Sequence, residues 1–282
     1  MQETREIKDI LKEYGQPENL AWLNEKIAKL AENKSTKDLF MTYSLLSTKF
    51  DGSKPVSFGQ DGGKKSMYFK LHDANLLQIA RIYLLSEVVR QDQSFYTPKV
   101  ANIIQIADTG ELETFLKYLV LLPNPEAYKQ TAVEALRTNI ATIFDAITLN
   151  NPYPAKYFND QQWNQMYLKA AFMERDLSQI EAVDERANAD LTRIISDYAH
   201  ERWAASRKID PLFWRPVSKF LNEVLLEDMK RLLNSGDKAE NYAGALCCYS
   251  SKNDTAQQLL NNYPDLKEKV ASKEIRWKTL KK

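Results

Sequence analysis

The amino-acid sequence predicts an all-α protein, arranged as an irregular, HEAT-like stack of antiparallel helix pairs that is similar to an α-solenoid. Apolar residues recur at three- and four-residue spacing along most of the 282 residues, and the alternation typical of strands is nearly absent. Only 8 of the 282 residues are glycine, which is less than half of the usual share of about 7%. Few tight turns are therefore available to join strands. About a dozen helices with short connections fit stacked pairs better than one four-helix bundle.

Three short helices are predicted before residue 50, because apolar residues there keep helical spacing. Their apolar positions are Ile7, Ile10, Leu11 and Tyr14; Leu20, Leu23, Ile27 and Leu30; and Leu39, Phe40, Tyr43 and Leu46. Ser35 lies three residues before Asp38 and predicts a capping-box start for the third helix, with Asp in place of the usual Glu.

A glycine-rich loop is predicted near residues 50–65, since Gly52, Gly63 and the residues between them include half of all the glycines. Its sequence matches neither a P-loop nor a GxGxxG fingerprint, so a lid or binding role and simple mobility stay open as alternatives. The loop suggests a division into residues 1–65, the N-terminal helices with the loop, and residues 66–282, the main helical-repeat domain. One continuous domain over residues 1–282 is the alternative.

Helices are predicted again after the loop, separated by short polar breaks. Proline follows a capping residue at Thr97-Pro98 and at Asp210-Pro211, which predicts a helix start at each place. The predicted ranges are 73–91, 97–108, 111–122, 125–149, 159–174, 186–207, 211–234, 238–250, 253–261 and 264–272.

The charge balance argues against nucleic acid and anionic membranes as partners. The chain has 39 Lys and Arg against 38 Asp and Glu, a net charge of +1, so it produces no general field that would hold a polyanion. A HEAT-like nucleic-acid binder is kept as an alternative and would require a basic stripe on one face.

The sequence predicts a cytoplasmic protein without a transmembrane segment. No apolar core of a signal peptide follows the N-terminus, and the longest apolar run, Leu119–Leu122, is far shorter than the roughly 20 residues of a bilayer span. Cys247 and Cys248 are adjacent and cannot form an ordinary disulfide across a long loop.

Metal chemistry is not supported by the histidines and cysteines. His200 and Glu201 begin an HExxH-like stretch, but residue 204 is alanine where the second zinc ligand would stand. The adjacent cysteines lack CxxC spacing. No metal, no cofactor and no catalytic residue is therefore predicted, and two buried thiols on a helix are the simpler interpretation.

Arg202 lies in the apolar stripe of its predicted helix when positions are placed at about 100° per residue. A guanidinium there requires a carboxylate or carbonyl groups, because an unpaired buried charge is costly. The sequence predicts an ion pair with Glu174, with Asp184 and Glu185 as rivals. The functional alternative is that Arg202 binds an anionic group in a pocket.

Aromatic residues are dense between Tyr153 and Trp214, which is compatible with a helical core and with a groove for a flat or isoprenoid-like ligand. Terpenoid chemistry would require an aspartate cluster of the DDxxD type to hold magnesium and diphosphate. The sequence contains no such cluster.

Five stretches in this region resemble the EboA family, with a weaker similarity at Ala245–Leu260. They are Asn151–Phe158, Trp163–Phe172, Asp184–Asn188, Asp197–Ala205 and Leu212–Val217. The resemblance implies a protein encoded beside other Ebo proteins, including a UbiA-like membrane prenyltransferase, in bacterial clusters that make and move secondary metabolites. It implies a place in a pathway and no particular catalytic residue. The family pattern often has glycine where this chain has Ser206.

The leading functional prediction is a non-catalytic binding or scaffolding protein, whose aromatic, arginine-bearing groove holds a metabolite or another Ebo protein. The alternative is an enzyme acting on an aromatic or prenylated metabolite with His200 as acid/base, since an ordinary imidazole titrates near neutral pH. The predicted ligand-binding residues are Tyr153, Tyr157, Trp163, Asn164, His200, Glu201, Arg202, Trp203, Trp214 and Arg215. The sequence does not predict an oligomeric state.

Overall fold

The computed structural model describes residues 2–59 and 63–280, and the regular elements in these two ranges are all helical. The β pairing in these ranges is an isolated bridge between Pro55 and Asn75. The predicted all-α class is therefore confirmed.

The chain forms two compact units, Met1–Tyr153 and Pro154–Lys282. The proposed domain boundary near residue 65 falls inside the first unit and stays a prediction. The HEAT-like stacking also stays a prediction.

The first unit contains α-helices interrupted by short 3₁₀ turns. The α-helices are α1 Gln2–Tyr14, α2 Pro17–Asn33, α3 Thr36–Leu45, α4 Lys64–Leu71, α5 Leu76–Gln91, α6 Gln93–Ala101, α7 Thr109–Lys117, α8 Lys129–Ala135 and α9 Ala141–Thr148. The 3₁₀ helices are Leu46–Thr48, Asn102–Gln105, Leu119–Leu121 and Pro125–Tyr128.

The helix starts show which capping predictions were right. The Ser35 hydroxyl accepts a hydrogen bond from the Asp38 N–H at 3.1 Å, as predicted for α3. The start predicted at Thr97-Pro98 is wrong, because Asp92 caps α6 several residues earlier by accepting from the Phe95 N–H at 3.0 Å. A carboxylate at the N-cap satisfies an N–H group that otherwise has no helical partner, so Pro98 lies inside the helix.

Helix α5 forms the centre of the first unit and is buried on nearly all sides, as expected for a helix that is apolar all round. Arg81 on this helix points into the core, where its guanidinium lies 3.4 Å from the Glu111 carboxylate and over the ring of Tyr43. Both charged side chains are almost fully buried. This ion pair satisfies two charges that would be costly if either were alone.

The glycine-rich segment is partly described, and residues 60–62 lie outside the described ranges. On its C-terminal side, the Glu6 carboxylate accepts hydrogen bonds from the Ser66 N–H and hydroxyl and so caps α4 from a distant helix. A Cβ atom at Gly63 would collide with that carboxylate. A larger residue at this position would therefore displace the Glu6 side chain that caps α4, and a lid role for the loop stays a prediction.

The second unit is helical in the same way. Its α-helices are α10 Tyr153–Tyr157, which begins at the boundary, α11 Asp160–Phe172, α12 Ala189–Ala204, α13 Glu223–Leu233, α14 Lys238–Ser250, α15 Asp254–Asn261 and α16 Pro264–Ala271. Its 3₁₀ helices are Leu177–Gln179, Pro211–Lys219 and Trp277–Leu280.

One long helix predicted over 211–234 is in fact two elements. The first is the 3₁₀ helix Pro211–Lys219, which Asp210 caps, and the second is α13, which Asn222 caps. Pro216 lies inside the first element and has no N–H to give to a hydrogen-bond ladder. Proline and a new capping residue together explain the break.

Helix α14 forms the centre of the second unit and packs against α13 and the 3₁₀ helix Pro211–Lys219. Cys247 and Cys248 lie buried on it as free thiols, and burial raises the pKa of Cys248 to about 12. The Cys247 thiol donates to the Trp214 carbonyl oxygen at 3.3 Å. Among the described helices, none combines the length and apolar character that a bilayer span requires.

His72 makes the stability of the first unit depend on pH. It lies between the rings of Tyr68 and Tyr118, and burial, helped by the Lys117 charge, lowers its pKa to about 4. The unfolded chain, with an ordinary pKa near 6.5, binds the proton more readily. The stabilisation by neutral His72 is therefore complete above pH 6.5 and is lost as the pH falls from 6.5 towards 4.

We predict that His72→Gln removes this pH dependence. Between pH 7 and pH 4.5, the wild-type free energy of unfolding should fall by about 2 kcal/mol more than that of the variant. Urea unfolding at several pH values measures both. Parallel loss of stability in the two proteins would show that burial of His72 is not responsible.

Candidate functional site

Helices α11 and α12 run in the same direction, side by side. Near their N-termini, Asn164 and Asn188 exchange two amide hydrogen bonds of 3.1 and 2.9 Å. Asn188 also caps α12 by accepting from the Leu191 N–H at 2.9 Å. Since the C-terminal halves of both helices line one groove, this pair is parallel, and residues 173–188 carry the chain back. The predicted antiparallel arrangement does not apply to this pair.

The C-terminal halves of α11 and α12 enclose a groove of about 550 Å³, here called the α11–α12 groove. This volume lies in the range of small-molecule sites. Phe172 is 69% exposed at the groove, although it is a large apolar side chain. The lining residues are Gln165, Leu168, Lys169, Phe172, Tyr198, Glu201, Arg202 and Arg207.

A second groove of about 430 Å³ adjoins the first, and the two share Tyr198 and Arg202. Its apolar walls include Ile209, Phe213 and Leu280, and carboxylates and cations occur together around it. Arg202 is therefore placed at the junction of the two grooves.

The end of α12 positions the backbone that holds Arg202. Ser206 is left-handed, with φ 54°. Its N–H donates to the Trp203 carbonyl at 3.0 Å, and the Arg207 N–H donates to the Arg202 carbonyl at 2.8 Å. These are the two hydrogen bonds of a Schellman motif, which ends a helix by reversing the chain. The reversal brings the Lys208 carbonyl oxygen to the Arg202 side chain.

Helix α11 ends with the same motif, again on a residue other than glycine. Glu174 is left-handed, with φ 55°, and its N–H donates to the Ala171 carbonyl at 3.1 Å. The Arg175 N–H donates to the Ala170 carbonyl at 2.9 Å. The chain therefore leaves the helix direction at Glu174.

The predicted Glu174–Arg202 ion pair is not formed, and none of the ion pairs in the described residues includes Arg202. Its Nε and Nη2 atoms donate to the Lys208 carbonyl oxygen at 3.0 and 2.6 Å, and its guanidinium lies over the Tyr198 ring. The rival carboxylate Asp184 is bound by Arg215 at 2.9 and 2.6 Å. A carbonyl group thus provides the partner that the half-buried Arg202 requires.

The opposite face of α12 binds a buried carboxylate, Asp228 of α13. The Ser196 hydroxyl donates to Asp228 Oδ2 at 2.7 Å, and His200 Nε2 lies 2.6 Å from Asp228 Oδ1. The Asp228 side chain is 4% exposed and that of His200 is 49% exposed. Both carboxylate oxygens are used, so this cluster joins the two helices.

Trp203 lies on the same face of α12 as His200. Its ring stacks on Trp214, with ring centroids 5.6 Å apart, and the guanidinium of Arg231 lies 4.1 Å from its ring centroid. Such a contact is a cation–π interaction. These contacts join α12 to α13 and to the 3₁₀ helix Pro211–Lys219.

The structure places the predicted ligand-binding residues in different surroundings. Glu201 and Arg202 line the α11–α12 groove, whereas His200 and Trp203 face away from it. Of the remaining predicted residues, Tyr153, Trp163 and Trp214 are buried and Tyr157 is half-buried. Asn164 forms hydrogen bonds with Asn188, and Arg215 forms an ion pair with Asp184. Two of the predicted residues are thus brought together at the groove.

Sequence reasoning missed most of the groove. The available signal was on α11, where Leu168 and Phe172 are one turn apart beside Lys169, so they share a face. Asp228 was also missed, although it interrupts the apolar face of α13. No cluster of His, Cys, Asp and Glu that could hold a metal ion occurs in the described part of the chain.

A family model described as "Metabolite traffic protein EboA" matches residues 4–218, more than half of the chain. No curated protein and no solved structure matches the chain. The matched region includes the whole α11–α12 groove and extends through the N-terminal half, but it ends before Asp228.

We predict that Ser206→Gly stabilises the protein. A left-handed residue other than glycine is strained by its Cβ atom, so the free energy of unfolding should rise by about 0.5–1 kcal/mol. Chemical denaturation measures the change. The matched control is Ser272→Gly at the end of α16, where φ is −74° and glycine relieves nothing. A gain in both variants, or in neither, would contradict the explanation.

We also predict that Asp228→Ala costs about 2–4 kcal/mol of stability, because it leaves Ser196 and His200 without their shared acceptor and opens a cavity. Asp197→Ala is the control. Asp197 is exposed and pairs with Arg193 within one turn of α12, a kind of contact worth about 0.3–0.5 kcal/mol. Equal losses in the two variants would refute a role for Asp228 in joining the helices.

Proposed function

The chain belongs to the EboA family, and we propose that it is a non-catalytic protein that binds a metabolite in the α11–α12 groove. The family description concerns metabolite traffic, which suits a protein that holds a small molecule without converting it. The proposed ligand is a product or intermediate of a bacterial secondary-metabolite cluster, handled together with other Ebo proteins.

The observation that supports this proposal is exposed apolar surface inside a concave site. Phe172 is 69% exposed and lines the groove together with the half-buried Leu168 and Tyr198. Water contact with such side chains is unfavourable, and a ligand that covers them gains that free energy. The groove volume of about 550 Å³ suits a small molecule, whereas a protein partner usually covers about 800 Å² per side.

The groove supports binding better than His200 supports catalysis. The Nε2 atom of His200 is engaged by Asp228, whose other oxygen is bound by Ser196. The imidazole therefore belongs to a contact between helices. His200 lines neither of the two grooves beside α12, so a ligand in either groove would not meet the His200 imidazole.

The neutral, apolar dye Nile red provides the test, because its fluorescence rises when it leaves water. We expect saturable binding of one dye per chain to the wild-type protein. Gln165→Trp should weaken binding at least tenfold, since Gln165 is exposed and lines the groove and a large side chain there would fill it. Fluorescence titration measures the dissociation constants.

Gln161→Trp is the matched control, because Gln161 is exposed one turn earlier on α11 and does not line the groove. Its binding of Nile red should equal that of the wild type. Absence of saturable binding, or equal weakening by the two tryptophan variants, would overturn the proposed function.

A further inference from the structure

We propose that the α11–α12 groove is selective for amphipathic anions, with the carboxylate or phosphate at Arg202 and the apolar body against Leu168 and Phe172. This inference rests on the proposed function, because it names the chemical class of the ligand that the groove holds. It assigns one polar end and one apolar region to the site.

The charges that line the groove are mostly positive. Lys169, Arg202 and Arg207 face one carboxylate, Glu201. No ion pair within the described residues includes Arg202, Arg207 or Glu201, so the groove holds charged groups that are not neutralised in pairs. The whole chain has a net charge of only +1, so Arg202 and Arg207 beside the single carboxylate of Glu201 form a local positive excess that would attract an anion.

Some arginines of the second unit have carboxylate partners, and Arg202 has none among the described residues. Arg193 pairs with Asp197 at 2.9 Å, and Arg215 binds Asp184 through two nitrogens. Arg202 instead uses Nε and Nη2 for a neutral carbonyl oxygen, and its Nη1 atom is not used by the hydrogen bonds found among the described residues. Its positive charge is therefore held in place without a carboxylate partner in the described part of the chain.

This fixed position lowers the cost of binding. A free arginine side chain loses rotamer freedom when it closes on a ligand, whereas Arg202 is already held by the Lys208 carbonyl and by contact with the Tyr198 ring. Preorganised groups contribute more of their interaction to affinity. The planar guanidinium also matches the geometry of carboxylates and phosphates.

Partial burial of Lys169 fits the same ligand class. Loss of solvent lowers the pKa of Lys169, which means that its charged form is less well solvated than an ordinary lysine. A bound anion would favour the charged form. Lys169 and Arg202 also lie in the last turns of α11 and α12, where a positive charge stabilises the helix dipole. Removal of either charge can therefore lower stability, and the folded state of each variant has to be checked.

The apolar part of the site gives the second half of the selectivity. Leu168 and Phe172 lie one turn apart on α11, and Tyr198 faces them from α12. A simple inorganic anion would leave these side chains in water. We therefore expect an apolar chain or ring on the ligand to contribute to binding, together with the charged group.

Displacement of Nile red by ten-carbon probes tests the inference. The probes are decanoate, decyl phosphate and the neutral decanol, each used below its micelle concentration, with inorganic phosphate as the control without a chain. We expect at least one anionic probe to displace the dye at a concentration at least tenfold lower than decanol. Comparison of decanoate with decyl phosphate identifies the preferred head group.

Arg202→Gln should remove the tenfold advantage of the anionic probes over decanol, with every probe measured by displacement of Nile red from the same variant. Arg193→Gln is the matched control, because it removes one positive charge from an exposed position on the opposite side of α12, away from the groove. It should keep the tenfold preference. Thermal unfolding of both variants checks that they are folded.

Nile red binding with equal displacement by decanol and both anions would overturn the inference and leave the proposed function intact. An equal effect of Arg193→Gln and Arg202→Gln would also overturn it, because the preference would then reflect net charge. If inorganic phosphate displaced the dye as effectively as decyl phosphate, the apolar chain would contribute nothing, and the assignment of an amphipathic ligand would be wrong. Failure of Nile red to bind the wild-type protein would instead overturn the proposed function.

Discussion

The buried carboxylate of Asp228 is the interaction on which the arrangement around α12 depends. A buried charge is tolerated only where hydrogen bonds satisfy it, and Asp228 obtains these from Ser196 and His200, one turn apart on a single helix face. Together with the Trp203–Trp214 stack, this fixes the rotation of α12 about its own axis. The opposite face, which includes Tyr198 and Arg202, is then directed towards the groove.

The helix ends complete the site in a different way. Both α11 and α12 stop at Schellman motifs on left-handed residues, Glu174 and Ser206. The reversal after α12 supplies the carbonyl that holds Arg202, and the reversal after α11 removes Glu174 from its expected position. The left-handed backbone at Ser206 is therefore part of what positions the Arg202 guanidinium, and the left-handed backbone at Glu174 is part of why its carboxylate does not pair with that guanidinium. Glycine in place of Ser206 would relieve the strain of its left-handed backbone without changing the turn.

The two faces of α12 have different surroundings: one packs against other helices, and the other lines the groove. The family match covers α12 and the groove but ends before α13, so in this chain the partner of His200 comes from outside the matched region. The histidine, which the sequence offered as an acid/base group, lies in a contact between helices. The proposed binding would use the other face, where apolar and cationic side chains meet at one concave surface.

The sequence by itself determined the all-α class, the family and much of the helical pattern, because spacing and capping act within a few residues. Ser35 and Arg202 illustrate the difference. The helix cap at Ser35 could be predicted from the residues that follow it in sequence, whereas the hydrogen-bond partner of Arg202 could not. The parallel course of α11 and α12, the Arg81–Glu111 and Asp228 contacts, and the groove were decided by tertiary structure. Each depends on which helix faces meet, and that follows from packing between residues distant in sequence.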